Sequence, residues 1–379
     1  MRTRTIIVSV TAILLAAGTT QAGSILYSAV DIGSLGGSGG TYGAAINNAG
    51  TVVGGSYLPN GNEVAFSYSN GAMTALGTLG GLSSTASAIN NAGTIVGGSY
   101  LPNGNVVPFS YSNGTMTGLD VGALQGYTSA NGINDAGVIV GSGYVNPNTY
   151  SQPYDGFIYD DGAYTIISNS GGTVGAQGIN SAGTVVGGYA LNYGNYFWDT
   201  FTYTDYTFAS NNNGTFTSVP PYGGGWVSYG LAINDLGTAV GYYSDPNTNQ
   251  GRYAFSYSNG TVTSLGTLPG GGSSWATAIN NEGVIVGGST YAGSGGNSDA
   301  FIYSSGAMTD LNSELLQELS TTLEYATAIN DVGQIVAIGT NGDTYLLSPA
   351  SSAAAPEPGS APLLALGGLC LLSCRRMRR

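Results

Sequence analysis

The chain has 379 residues, 20 acidic and seven basic side chains, a formal net charge of −13, and neither histidine nor lysine. Six of its arginines lie in the terminal segments, so Arg252 stands alone against 19 carboxylates between Gly23 and Ala355; such a body repels phosphate backbones and excludes nucleic acid as a partner. The missing residue types also exclude Ser-His-Asp triads, Cys-His pairs, histidine zinc sites and Schiff-base lysines, so no catalytic residue, metal or cofactor is assigned.

The first segment, 1–22, reads as a secretory signal peptide: Arg2 and Arg4, an apolar run from Ile6 to Ala17, and small residues at Thr20 and Ala22 before Gly23. Residues 23–349 form one repetitive domain. Its kernel, Ile-Asn-x-x-Gly, starts at Ile46, Ile89, Ile133, Ile179, Ile233, Ile279 and Ile329, with spacings of 43, 44, 46, 54, 46 and 50 residues. That period suits one four-stranded propeller blade per unit.

Within a unit, Thr85 to Ile89 reads as a short inner strand of small residues, and Asn90-Asn91-Ala92-Gly93 as a tight turn with glycine at positive φ. Thr94 to Tyr100 is the second strand, Pro108 to Ser112 alternates at period 2, and Asn113-Gly114 marks a hairpin into Thr115 to Leu119. The last unit lacks an outermost strand, and Ile25 to Leu35 supplies a match at the other end. The expected fold is therefore all-β, a seven-bladed β-propeller closed by the N-terminal strand pairing with the last blade; closure protects strand edges.

Asn47, Asn90, Asn134, Asn180, Asn234, Asn280 and Asn330 share one position in the repeat. A structural role is the preferred reading, because asparagine side chains bond nearby backbone in turns and a ligand site used once need not be copied seven times. The units resemble the HAF-repeat family of extracellular proteins, through Val64-Ala65-Phe66, Tyr253-Ala254-Phe255, Asp299-Ala300-Phe301, LGTLGG from Leu76 and LGTLPGG from Leu265. The name-giving histidine is absent, so a role of that histidine does not transfer. The resemblance implies an exported repeat protein and brings no established chemistry.

The fourth unit is irregular and aromatic. Tyr196, Trp198, Tyr203, Trp226 and Tyr229 are the candidate ligand-binding residues, since exposed aromatic faces stack on sugars or anchor proteins; the same rings could instead fill gaps between blades. Asp155, Asp160, Asp161, Asp199 and Asp205 come nearest to the paired carboxylates that glycoside hydrolysis needs, although solvated turns account for them. Asp245 to Asn249 spaces oxygens like part of a calcium loop without its glycine or final glutamate. Asp310 to Leu319 reads as a short helix, with Ser313 a possible cap, bridging the last two blades.

A linker, 350–361, leads to a segment, 362–379, with an apolar run to Cys374 and an arginine-rich end. The run is short for a stable membrane span, which suits transient membrane association. Cys370 and Cys374 share a helix face as apolar filler or lipidation sites, and the body has no cysteine. Pro356-Glu357-Pro358, the apolar run and the arginine cluster together resemble a PEP-CTERM sorting signal. That resemblance implies a Gram-negative source, sorting to the outer surface or extracellular matrix, and exosortase-type machinery as a partner. The expected role is a non-enzymatic scaffold or adhesive, with an exopolysaccharide or another surface protein as its partner. A carbohydrate-active enzyme using paired Asp residues and a purely structural envelope protein remain the alternatives.

Overall fold

The structure, a computed structural model, describes residues 25–122, 124, 126–144, 154–168, 173–190, 206–210, 216–219, 227–244 and 251–350. The signal peptide, Tyr196, Trp198, Tyr203, Trp226, Asp199, Asp205, the 245–249 loop, Pro356, Glu357, Pro358 and the arginine-rich end lie outside these residues.

Among the described residues, twenty-eight strands build seven four-stranded antiparallel sheets. Six sheets, rather than seven, are complete in one stretch of chain: β2–β5 (residues 41–77), β6–β9 (84–118), β10–β13 (126–167), β14–β17 (173–219), β18–β21 (227–266) and β22–β25 (274–310). The remaining sheet is sewn from both ends of the domain. Its strands β26 (Leu323–Ile329), β27 (Ile335–Gly339) and β28 (Thr344–Pro349) are joined by β1 (Tyr27–Asp31), in the register Tyr27↔Pro349 to Asp31↔Tyr345. The inner strands β2, β6, β10, β14, β18, β22 and β26 neighbour one another in a circle, with β26 returning to β2. The architecture is an all-β propeller.

The core lies between blades. Val53, Ala65 and Leu76 of one blade pack with Ala86, Ile95 and Phe109 of the next, and Ile46, Val52 and Phe66 close the ring against Ala328 and Val336. Phe66, Phe109, Phe157, Phe255 and Phe301 are all fully buried, which follows from the period-2 alternation of the third strand in each unit.

Every inner strand carries a β-bulge, for example between Ala86 and Ala88 in β6 (Ser84–Ile89). The bulge brings its backbone against the facing strand: a Cβ on Gly97 would run into the Thr85 carbonyl and lie 3.0 Å from the Phe109 ring. Gly54, Gly141, Gly241 and Gly287 are confined the same way, so the glycine at this place in the second strand of these blades is a packing requirement.

The expected helix at 310–319 needs correcting. Only Leu311–Glu314 turns, as a 3-10 turn capped by Asp310, whose carboxylate accepts from the Asn312 N–H at 2.8 Å; Ser313 instead donates to the Asp310 carbonyl. Leu315 is extended, and the Leu316 N–H donates to the Tyr27 carbonyl at 2.9 Å. Pairing with the edge of β1 wins over a helix too short to nucleate well. No helix among the described residues is long and apolar enough to cross a membrane.

Candidate functional site

Two places in the described structure could meet a ligand, one at each end of the blades. The first is the axial mouth, an opening of about 220 Å³ lined by the Ile-Asn-x triplets of all seven sheets. In each kernel the turn glycine adopts positive φ, as Gly50 does at 78°, and its N–H donates to the asparagine carbonyl. The asparagine Oδ1 accepts the N–H four residues on, at 2.8 to 3.0 Å in all seven. The Nδ2 crosses to the next blade. Asn47 donates to the Asn90 carbonyl, Asn90 to Asn134, and so on to Asn330, which donates back to Asn47, at 2.9 to 3.2 Å throughout.

A second tier stands just outside this ring. The Asn91 N–H donates to Asp135 at 2.8 Å, the Ser181 N–H to Asp235 at 2.8 Å, and the Asn281 N–H to Asp331 at 2.9 Å. Burial pulls the Asp235 carboxyl upward, but donors from Ser181 and Asn281 outweigh it and hold it below the usual carboxylate range. The mouth is thus a polar girdle whose amides and carboxylates are already engaged with one another.

The second place lies at the opposite end of the blade formed by β6–β9. β6 runs toward the axial turn at Asn90, and β7 (Ile95–Tyr100) runs away from it. At the far end Leu82, Tyr100, Leu101 and Pro102 line an open cup of about 570 Å³, floored by Gly80 and Gly81 and carrying no charged side chain. Leu82 is 74% exposed. A Cβ on Gly81 would run into the Tyr100 backbone, so the Gly-Gly pair lets the loop lie flat on the strand end. The Tyr127 ring stands perpendicular to Tyr100 at 6.2 Å, on a backbone with φ of 39°, rare for an aromatic residue.

Of the aromatic candidates, Tyr229 is described. It is half-buried in β18 (Val227–Ile233), lies against Gly188 of the preceding blade, accepts a hydrogen bond from Gln177 Nε2 at 3.1 Å and stacks on Tyr242 at 6.1 Å. Arg252 sits over the Tyr242 ring, 4.9 Å from its centroid. Tyr229 therefore takes part in packing between blades.

Among the described acidic candidates, Asp155 is not brought to Asp160 or its neighbour Asp161. Asp155 and Asp160 sit on one strand, β12 (Tyr154–Asp160), five residues and roughly 16 Å apart, which exceeds the separation used in glycoside hydrolysis. Asp155 is buried, its Oδ1 has no hydrogen-bond partner, and burial pushes its carboxyl up. A closer pair escaped the sequence reading: Asp299 on β24 (Ser298–Ser304) and Asp310 at the end of β25 (Ala307–Asp310). Burial, and then the charge of Asp310, push Asp299 up to about 6. The signal was cross-strand register, since Asp310 pairs with Phe301, two residues beyond Asp299. Asp310 is already engaged with Asn312.

No family model and no curated protein matches the chain. Among solved structures, it is similar to the β-propeller domain of the Trilobed protease from Pyrococcus furiosus, with a TM-score of 0.53, 7% identity, and coverage of 81% of this chain and 94% of that one. That domain is described as having an open velcro topology, whereas here β1 is hydrogen-bonded to β28. It is also similar to a catalytically inactive virginiamycin B lyase from Staphylococcus aureus (TM-score 0.49, 12% identity, 86% and 100% coverage) and to an acylaminoacyl peptidase from Pyrococcus horikoshii (0.48, 10%, 79% and 50%). At 7% identity, the likeness to the Trilobed protease domain shows a β-propeller fold and nothing finer.

Proposed function

We propose that this propeller is an exported, non-enzymatic scaffold or adhesive that holds polysaccharide at the cell surface or in its matrix. The observation that carries the reading is the circular asparagine chain: the axial mouth, the most polar concavity described, has its amides committed to joining blade to blade. A ring tied through its hub and stitched at its ends suits a protein that bears load. The resemblance to HAF repeats and to a PEP-CTERM signal supports export, sorting by exosortase-type machinery and transient membrane association through the C-terminal segment.

The test is to incubate purified protein with a panel of polysaccharides and to follow both retention and chain length. Retention with unchanged chain length is expected. Shortened chains would favour the carbohydrate-active enzyme, for which the Asp299 and Asp310 pair is the specific observation, and Asp299→Asn would then abolish cleavage. Neither retention nor cleavage would leave a purely structural envelope protein.

A further inference from the structure

We propose that the cup beside Tyr100 is a subsite for a neutral pyranose ring of a polysaccharide, a proposal that rests on the reading above and places its binding surface.

The repeat itself shows what shape the cup accepts. In the blade formed by β2–β5, the loop Leu35-Gly36-Gly37 corresponds to Leu79-Gly80-Gly81, and Tyr57 occupies the place of Tyr100. There an extra glycine, Gly39, lies directly under the Tyr57 ring, so closely that a Cβ would collide with it. That loop is capped by its own six-membered ring. In the next blade the extra glycine is missing, Ser83 follows Leu82, and the ring of Tyr100 meets Tyr127 edge-on. The cup is left open, with a tyrosine and three aliphatic side chains around a glycine floor.

A pyranose is a ring of similar outline, with C–H groups on its faces and hydroxyls at its rim. Its apolar face matches the Tyr100 and Leu82 walls, and its rim hydroxyls stay toward the open mouth of the cup, since the Gly80 and Gly81 amides are already donated to Thr78 Oγ1 and the Tyr100 carbonyl. Charge narrows the class. The cup carries no ionisable group, and the one basic residue among the described residues, Arg252, lies in a different blade over Tyr242. With 19 carboxylates on the body, a uronate or sulfated chain is repelled. The Tyr127 conformation fits a functional surface, because a strained backbone at an exposed aromatic persists where the surroundings impose it.

The experiment is titration of the full chain with cellohexaose, maltohexaose, oligogalacturonate and a proline-rich peptide, using wild type, Tyr100→Ala, Leu82→Ser and Trp198→Ala/Trp226→Ala. Leu82 is exposed enough that its replacement leaves folding intact, and unchanged melting checks this. The expected result is binding of a neutral hexaose, weakened tenfold or more by both Tyr100→Ala and Leu82→Ser. Neutral hexaose binding untouched by Leu82→Ser and Tyr100→Ala, or lost only in the double tryptophan variant, overturns the cup while leaving a polysaccharide-binding protein. Preference for oligogalacturonate or for the proline-rich peptide also overturns it. No binding to any glycan rejects the cup and the broader reading together.

Discussion

Asn330 donates from Nδ2 to the Asn47 carbonyl at 2.9 Å, across 283 residues of chain, and so completes a hydrogen-bonded circle around the propeller axis. The same Asn330 accepts the Gln334 N–H through Oδ1 at 2.8 Å. One side chain therefore braces its own turn and joins the last blade to the first. The carboxamide places its donor and its acceptor on separate atoms of one short planar group, which lets it reach both partners at once.

This dual use distinguishes asparagine from its isostere. Asn134→Asp keeps the acceptor for Val138 but turns the Nδ2 donor into a second oxygen against the Asn180 carbonyl. The expected loss is about 1–3 kcal/mol, greater than for Asn113→Asp in an exposed outer hairpin. Chemical denaturation of the two variants compares them.

The glycine of the second strand is a matter of space rather than backbone angle. Gly97→Ala places a methyl against the Thr85 carbonyl and the Phe109 ring, and is expected to cost about 1–3 kcal/mol or more. Gly93→Ala meets nothing within 4 Å and is burdened only by its φ of 84°, at about 1 kcal/mol. Thermal melts that rank Gly93→Ala as the worse change would refute this ordering.

Asp299 makes stability depend on pH in a defined direction. Its folded-state value of about 6 lies above the ordinary 3.8, so the native state holds the extra proton between these values. The cost of ionised Asp299 is absent below 3.8 and complete above about 6. Asp299→Asn should stabilise by about 1–2 kcal/mol at pH 7.5, after allowance for solvent screening, and by almost nothing near pH 3.8. Equal gains at both pH values would show that the aspartate is not titrating in this way.

The seam has a large buried aliphatic anchor. Leu347 in β28 is fully buried and opposes Ala29 of β1. Leu347→Ala is expected to cost about 2–5 kcal/mol and to release β1, so that limited proteolysis cuts between residues 25 and 35 before it cuts elsewhere. A variant whose N-terminal strand stays as resistant as wild type would locate the weak point of the ring elsewhere.

Much of the local structure was legible because each unit repeats a short-range rule. Asn113-Gly114 announces its hairpin through the left-handed backbone that both residues adopt, with φ of 52° and 80°. The Phe109 position follows from alternation alone. The helix expected at 310–319 was misread because its leucines at helical spacing carry no information about the free edge of β1, which captures Leu316. The candidate site was less legible still. Tyr57 and Tyr100 stand in near-identical phrases, yet one caps its own loop and the other borders an open cup, and the difference is one glycine.

The sequence by itself determined the strands, the turn glycines and the apolar face of each blade, because these depend on neighbours a few residues away. The tertiary structure alone decided that the asparagine amides would reach across blades, that Asp299 would lie beside Asp310, and which loop would keep its ring to itself. Those outcomes turn on distances between groups remote in the chain, where a shift of an ångström separates a hydrogen bond or a filled cup from none.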